Sequence, residues 1–132
     1  MSLVITYTAD QLSLKNLVNY SSAPENLILK LFQSNTTPTK SDATGAYTEA
    51  TFTGYSSVTL TGSAWNVSAN PVTYAVQTFT SSMGGQSQLI YGYYLVGATS
   101  NLLYGAERFS DGPYTIANLN DNIQVAMSLG AN

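Results

Sequence analysis

Glu49, Glu107, Asp111 and Asp121 are the side chains with which this chain has the means to do chemistry, because a pair of carboxylates is enough to run glycoside hydrolysis, one as acid and the other as nucleophile or base. Little else in the sequence supports that task. Histidine and cysteine are both absent, which removes the usual general base, the thiolate nucleophile and the common zinc ligands. Glu107 adjoins Arg108, but neighbours in a strand point to opposite faces, so the two do not pair by adjacency. Arg108, the sole arginine, is expected to meet Glu49, Asp111 or a partner across the sheet, and Arg108, Glu49, Glu107 and Asp111 are read as structural ion-pair candidates. No catalytic residue, and hence no enzyme activity, is expected.

Asp111 and Asp121 sit in turn-like surroundings, where a carboxylate commonly accepts from a backbone N–H two residues on. Asn118, Asn120, Asp121 and Asn122 offer oxygen ligands for calcium, but without the glycine and terminal glutamate of an EF-hand loop; no metal and no cofactor is expected. Asn-x-Ser/Thr triplets at Asn19, Asn35 and Asn66 are chance matches in so Ser- and Thr-rich a chain, and Gly84-Gly85 lacks the flanking pattern of a phosphate loop. The tyrosines, 10 in all, are more informative. Tyr91, Tyr93 and Tyr94 fall in one run, with Tyr104 on the next. Tyr91 and Tyr93 share a face with Leu89 and Leu95, which marks core; Tyr94 projects to the other face beside Gly92 and Val96. Packing is the plain role for this group, and a subunit interface, with Tyr94 as its candidate, or a stacking platform for sugars are the alternatives.

These residues need elements to position them, and the composition limits what those are. The 132 residues are 44% hydrophobic and 8% charged, enough for one domain with a core that needs no disulfide. A net charge of −3 and only Lys15, Lys30, Lys40 and Arg108 as scattered bases argue against nucleic-acid binding. No run approaches the ~18 apolar residues of a membrane helix, and the N-terminus lacks the pattern of a secretory leader, so synthesis in the cytoplasm without membrane insertion is expected.

Met1–Thr8 reads as a strand or an extended arm, with Leu3, Val4 and Ile5 as its apolar β-formers and Tyr7 beside them; this stretch either completes a sheet edge or reaches a neighbouring subunit by strand addition. A short helix over residues 9–19 follows, capped by Thr8 with Gln11, with Leu14, Leu17 and Val18 on one face, ending at Asn19–Pro24. Leu27–Phe32 is apolar on both faces, Leu27, Leu29 and Leu31 against Ile28 and Phe32, which suits a central strand. Ser34–Gly45 has the composition of a mobile polar loop. Short strands are expected at Thr48–Phe52, Ser57–Leu60 and Trp65–Ser68, with Trp65 buried, and longer ones at Val72–Thr80, Leu89–Val96, Leu102–Phe109, Tyr114–Ala117 and Ile123–Leu129. The sum is a mostly β protein, an antiparallel β-sandwich of jelly-roll type with one short N-terminal helix.

Certain blocks also resemble those of a known group. Asn26-Leu27-Ile28-Leu29-Lys30-Leu31-Phe32, Asn35-Thr36-Thr37-Pro38, Thr48-Glu49-Ala50-Thr51-Phe52-Thr53-Gly54-Tyr55, Trp65, Tyr91-Gly92-Tyr93 and Ala106-Glu107-Arg108-Phe109-Ser110-Asp111-Gly112-Pro113 resemble small structural proteins of tailed bacteriophages, over most of the chain after residue 25. The composition is similar to that of capsid decoration, or cement, proteins. The resemblance implies a virion protein on the outer surface of the capsid, made in the host cytoplasm, partnered by the major capsid protein or another virion protein and self-associating as a trimer. A receptor-binding or tail-fibre module with lectin-like contacts is the other implied role. The chain departs from the pattern at Leu119-Asn120-Asp121, where Gly-Asp is usual.

Overall fold

A computed structural model describes residues 3–18 and 24–130. The arm's first two residues, residues 19–23 of the expected break after the helix and the Asn19 triplet lie outside the described residues, while the helix itself ends at Leu17 with Val18 as its C-cap. The order of elements is β1 (Val4–Ile5), α1 (Tyr7–Leu17), β2 (Leu27–Phe32), β3 (Val58–Leu60), β4 (Val72–Thr80), β5 (Gln88–Ile90), β6 (Gly92–Gly97), β7 (Leu103–Arg108), β8 (Tyr114–Ile116) and β9 (Asn122–Leu129). The protein is mostly β with antiparallel pairing throughout. β1-β7-β6-β2-β3 form one sheet, while β4-β9 and β5-β8 form two ribbons.

β2 lies inside its sheet, as its two apolar faces require. Leu29 and Leu31 enter a first core with Tyr93 and Leu95 of β6, Phe79 of β4 and Ile123, Val125 and Met127 of β9. Phe32 enters a second core with Tyr47, Tyr94, Val96, Leu103 and Ala106, so that both faces of the sheet are covered. Each fully buried aliphatic or aromatic side chain here contributes about 1.5–3 kcal/mol. Gly92 is required by this packing: a Cβ there would stand 2.7 Å from the Phe32 ring and collide with the Glu107 carbonyl.

Several expectations are corrected. Alternation along Val72–Thr80 sets Val72, Tyr74 and Val76 against polar Thr73 and Gln77, yet Val76 is exposed, because the pairing with β9 steps from Tyr74↔Met127 to Gln77↔Val125. That irregularity inserts one residue, and beyond it Gln77 and Phe79 take the inward face. The run Leu89–Val96 breaks at Tyr91: Leu89 turns outward, Ile90 enters the first core and Tyr91 packs beside the second. Thr48–Phe52 and Trp65–Ser68 are not strands and contribute only single bridges, Phe32↔Glu49 and Asn66↔Thr73. Trp65 is half-buried at the margin of the first core, edge-on to Tyr74. The connection after β2 is tied down: Pro38 and Tyr47 are buried, Asp42 accepts from Thr39 and Tyr47, and the Lys40 carbonyl accepts from the Tyr7 N–H. Tyr47 itself closes the second core.

The helix begins earlier than its pattern suggests. Thr6 is the N-cap in place of Thr8; its Oγ1 accepts from the Ala9 N–H at 3.2 Å and donates to the Leu103 carbonyl at 2.6 Å. One buried hydroxyl therefore starts α1 and fastens it to β7. Thr8 already lies within the first turn, one residue past the helix start.

Candidate functional site

The carboxylates do not converge. Glu49 meets Lys30 at 3.4 Å and accepts from the Tyr55 hydroxyl at 2.7 Å. Glu107 accepts from the Tyr93 hydroxyl at 2.7 Å, and Asp111 from the Tyr114 hydroxyl. Asp42 accepts from Tyr47 at 2.7 Å and Glu25 from Tyr104 at 3.0 Å. Five of the seven acidic residues are thus held by a tyrosine, which accounts for half of the tyrosines. The phenol supplies a neutral donor where a chain with four bases has few cations to spare. Burial, with the carboxylate as hydrogen-bond partner, raises the pKa of Tyr47, Tyr55 and Tyr93 well above the usual phenol value, so these hydroxyls stay protonated.

The ion pair expected of Arg108 is absent among the described residues. Its guanidinium lies 5.0 Å over the Tyr91 ring and donates to the Thr36 carbonyl at 3.1 Å. Glu107 and Arg108 do face opposite sides, as neighbours in a strand must, but neither Glu49 nor Asp111 reaches the arginine. Asp121 accepts from the N–H groups of Ala117 and Asn118, a turn role, with Asn120 at φ 70° beside it. No group of three or more His, Cys, Asp or Glu is placed to hold a metal among the described residues.

The interface candidates separate. Tyr94 is only 3% exposed, stacked on Tyr47 and edge-on to Phe32, because the connection after β2 covers the face that the strand pattern leaves open. Leu3, Val4 and Ile5 are half-buried, and Val4 and Ile5 pair with Ala106 and Gly105 of β7 in their own chain. Tyr7 is 62% exposed at the start of α1, with the Lys40 ammonium 5.3 Å above its ring. Lys40 also bonds Asp10 and the Ile5 carbonyl, fixing this corner.

The spacing of Leu14, Leu17 and Val18 predicts one shared face and does not specify what covers it. In the structure that face is open: the three are 60%, 80% and 72% exposed. α1 buries only Ala9, the small residue that lets it lie against the sheet. Tyr7, Leu14 and Val18 follow one stripe at spacings of seven and four, with Leu17 at its side. Four large exposed apolar side chains along one helix are the arrangement among the described residues most available for contact with another surface. No family model, curated protein or solved structure matches the chain, so its role rests on its own residues.

Proposed function

We propose that the protein is a structural component of a tailed-bacteriophage virion, a capsid decoration protein that sits on the outer surface of the head and stabilises it by bridging shell subunits. The observation that carries this is the open apolar face of α1. Its four side chains expose roughly 500 Å², at the upper end of the patches that monomers present and commonly a mark of function. That falls short of the ~800 Å² a side of a standard stable interface, which suits a protein held at several points on a shell. An apolar groove on a shell subunit is the matching partner, with Tyr7, Leu14 and Val18 as anchors of a helix laid into it. The carboxylates support a binding role by being engaged in hydrogen bonds that fix the fold. The same reading includes self-association as a trimer and a jelly-roll-like β-sandwich formed by the sheet and the two ribbons.

The test is occupancy of the head. A whole-particle reconstruction is expected to place the protein on the outer capsid surface, and the double variant Leu14→Ser/Leu17→Ser is expected to fold yet lose at least tenfold in binding to undecorated capsids, about 1.4 kcal/mol. Density at the tail, or unchanged occupancy by the variant, overturns it.

A further inference from the structure

We propose that the cleft between α1 and the five-stranded sheet binds one neutral sugar ring, with Trp65 as its stacking surface and Asn26 as its hydrogen-bond donor. This function is additional to the virion role and does not depend on it. The cleft has a volume of about 260 Å³. Pockets that enclose drug-sized ligands run to about 300–1,000 Å³, so this one has room for a single ring.

Its walls are placed by features that strand patterning alone does not produce. Trp65 follows the 3₁₀ turn Gly62–Ala64 and is braced by the Tyr74 ring, 5.0 Å away at 70°; the Tyr74 hydroxyl in turn accepts from the Thr61 N–H. The indole is therefore half-exposed and already oriented, which lowers the ordering cost of binding. Tyr104 reaches the cleft because the β6–β7 register steps from Leu95↔Gly105 to Val96↔Leu103 and leaves it unpaired. An extra residue of this kind re-aims a side chain, and such irregularities recur beside binding sites. Asn26 Oδ1 accepts from the Gly62 N–H at 2.9 Å, which leaves its Nδ2 to donate to a ligand.

The class of ligand follows from the charges. Glu25 accepts four hydrogen bonds, from the N–H groups of Thr99 and Ser100, the Ser100 hydroxyl and the Tyr104 hydroxyl. With its acceptor positions filled it is a fixed negative wall and neither acid nor base to a ligand. No lysine or arginine lines the cleft among the described residues, so an anion meets repulsion without compensation. A wholly apolar ligand would strip water from Ser13 and Asn26 without replacing their hydrogen bonds. A pyranose satisfies both demands: its C–H face covers an aromatic ring and its hydroxyls meet the amide donor.

Trp65 is the only tryptophan, so emission excited at the red edge of the absorption band, where the 10 tyrosines do not absorb, comes from the indole that lines this cleft. Titration with glucose, galactose, N-acetylglucosamine and N-acetylneuraminic acid, to about 50 mM because one ring binds near the millimolar level, is expected to give a saturable emission change with at least one neutral sugar and none with the anionic one. Asn26→Asp keeps the acceptor for Gly62 and removes the donor; it is expected to weaken that sugar at least tenfold while leaving the thermal midpoint near that of the parent. Calorimetry on Trp65→Ala is expected to show no binding. The absence of a saturable response to every neutral sugar, equal binding by Asn26→Asp, or tighter binding of N-acetylneuraminic acid each overturns the proposal.

Discussion

β2 and α1 are both built around apolar side chains, yet Leu29, Leu31 and Phe32 are fully buried while Leu14 and Leu17, with Val18 just beyond the helix, stand in solvent. β2 has a hydrogen-bonded neighbour on each side, β6 and β3, and a packed core on each face. Whichever way its side chains point, they meet protein. α1 is fastened at its first turn by Thr6 and lies on β7 through Ala9, the one helix residue that is buried among those described, and the side that carries Leu14, Leu17 and Val18 stays exposed. The difference shows that apolar periodicity specifies a face and leaves open what covers it. Where the fold supplies nothing, the face is free to serve another molecule.

The largest expected effect lies in β2. Phe32→Ala removes a ring enclosed by Tyr47, Tyr94 and Gly92, which cannot close over the gap, and is expected to lower unfolding stability by about 3–5 kcal/mol in urea denaturation. A loss below about 1 kcal/mol would mean that the second face of the sheet is not packed. Such a result would erase the contrast with α1.

An intermediate effect belongs to the seam between the two regions. Glu25 precedes β2 and ties down the turn after β6. Burial opposes its ionisation, but hydrogen bonds from Ser100, Thr99 and Tyr104 outweigh this and lower its pKa from 4.5 to about 2. The ionised form is the one the fold stabilises. Its contribution is therefore full above about pH 4.5 and is lost as pH falls towards about 2. Glu25→Gln is expected to cost about 1–2 kcal/mol at pH 7, discounted for its position near the surface, with the gap to the parent closing in denaturation curves taken towards pH 2. A gap independent of pH would remove the carboxylate from this role.

The smallest effect is expected on α1. Leu14→Ser/Leu17→Ser should change stability by no more than about 0.5 kcal/mol, since neither side chain has a buried environment to lose. A cost above about 1 kcal/mol would show that the face is already covered in the free protein.

Much of the strand framework was legible because period-two patterns persist over whole elements. β2 and β4 run over the residues expected, and Ile123, Val125 and Met127 of β9 share the inward face. Pattern and structure part where one residue changes the phase. The irregularity in β4 exposed Val76, the break at Tyr91 turned Leu89 outward, and the extra residue in β7 put Tyr104 at the cleft. The α1 face was visible as a stripe, but its exposure was not. The cleft had no sequence signal, since it joins the start of β2, the turn before Trp65 and the irregularity in β7.

By itself the sequence determined the class of the fold and the poverty of its chemistry. Alternation sets which side chains can share a face, and the absence of histidine and cysteine holds in any conformation. Only the tertiary structure decided the partners. Tyr104 and Glu25 stand 79 positions apart and Arg108 and Thr36 stand 72 apart, and each pair meets because β7 and β2, whose flanking segments carry Glu25 and Thr36, lie on either side of β6 in one sheet. It also decided that Tyr94 is core and Leu17 is surface. Burial depends on what packs across from a side chain, and that neighbour is set by the whole chain's path.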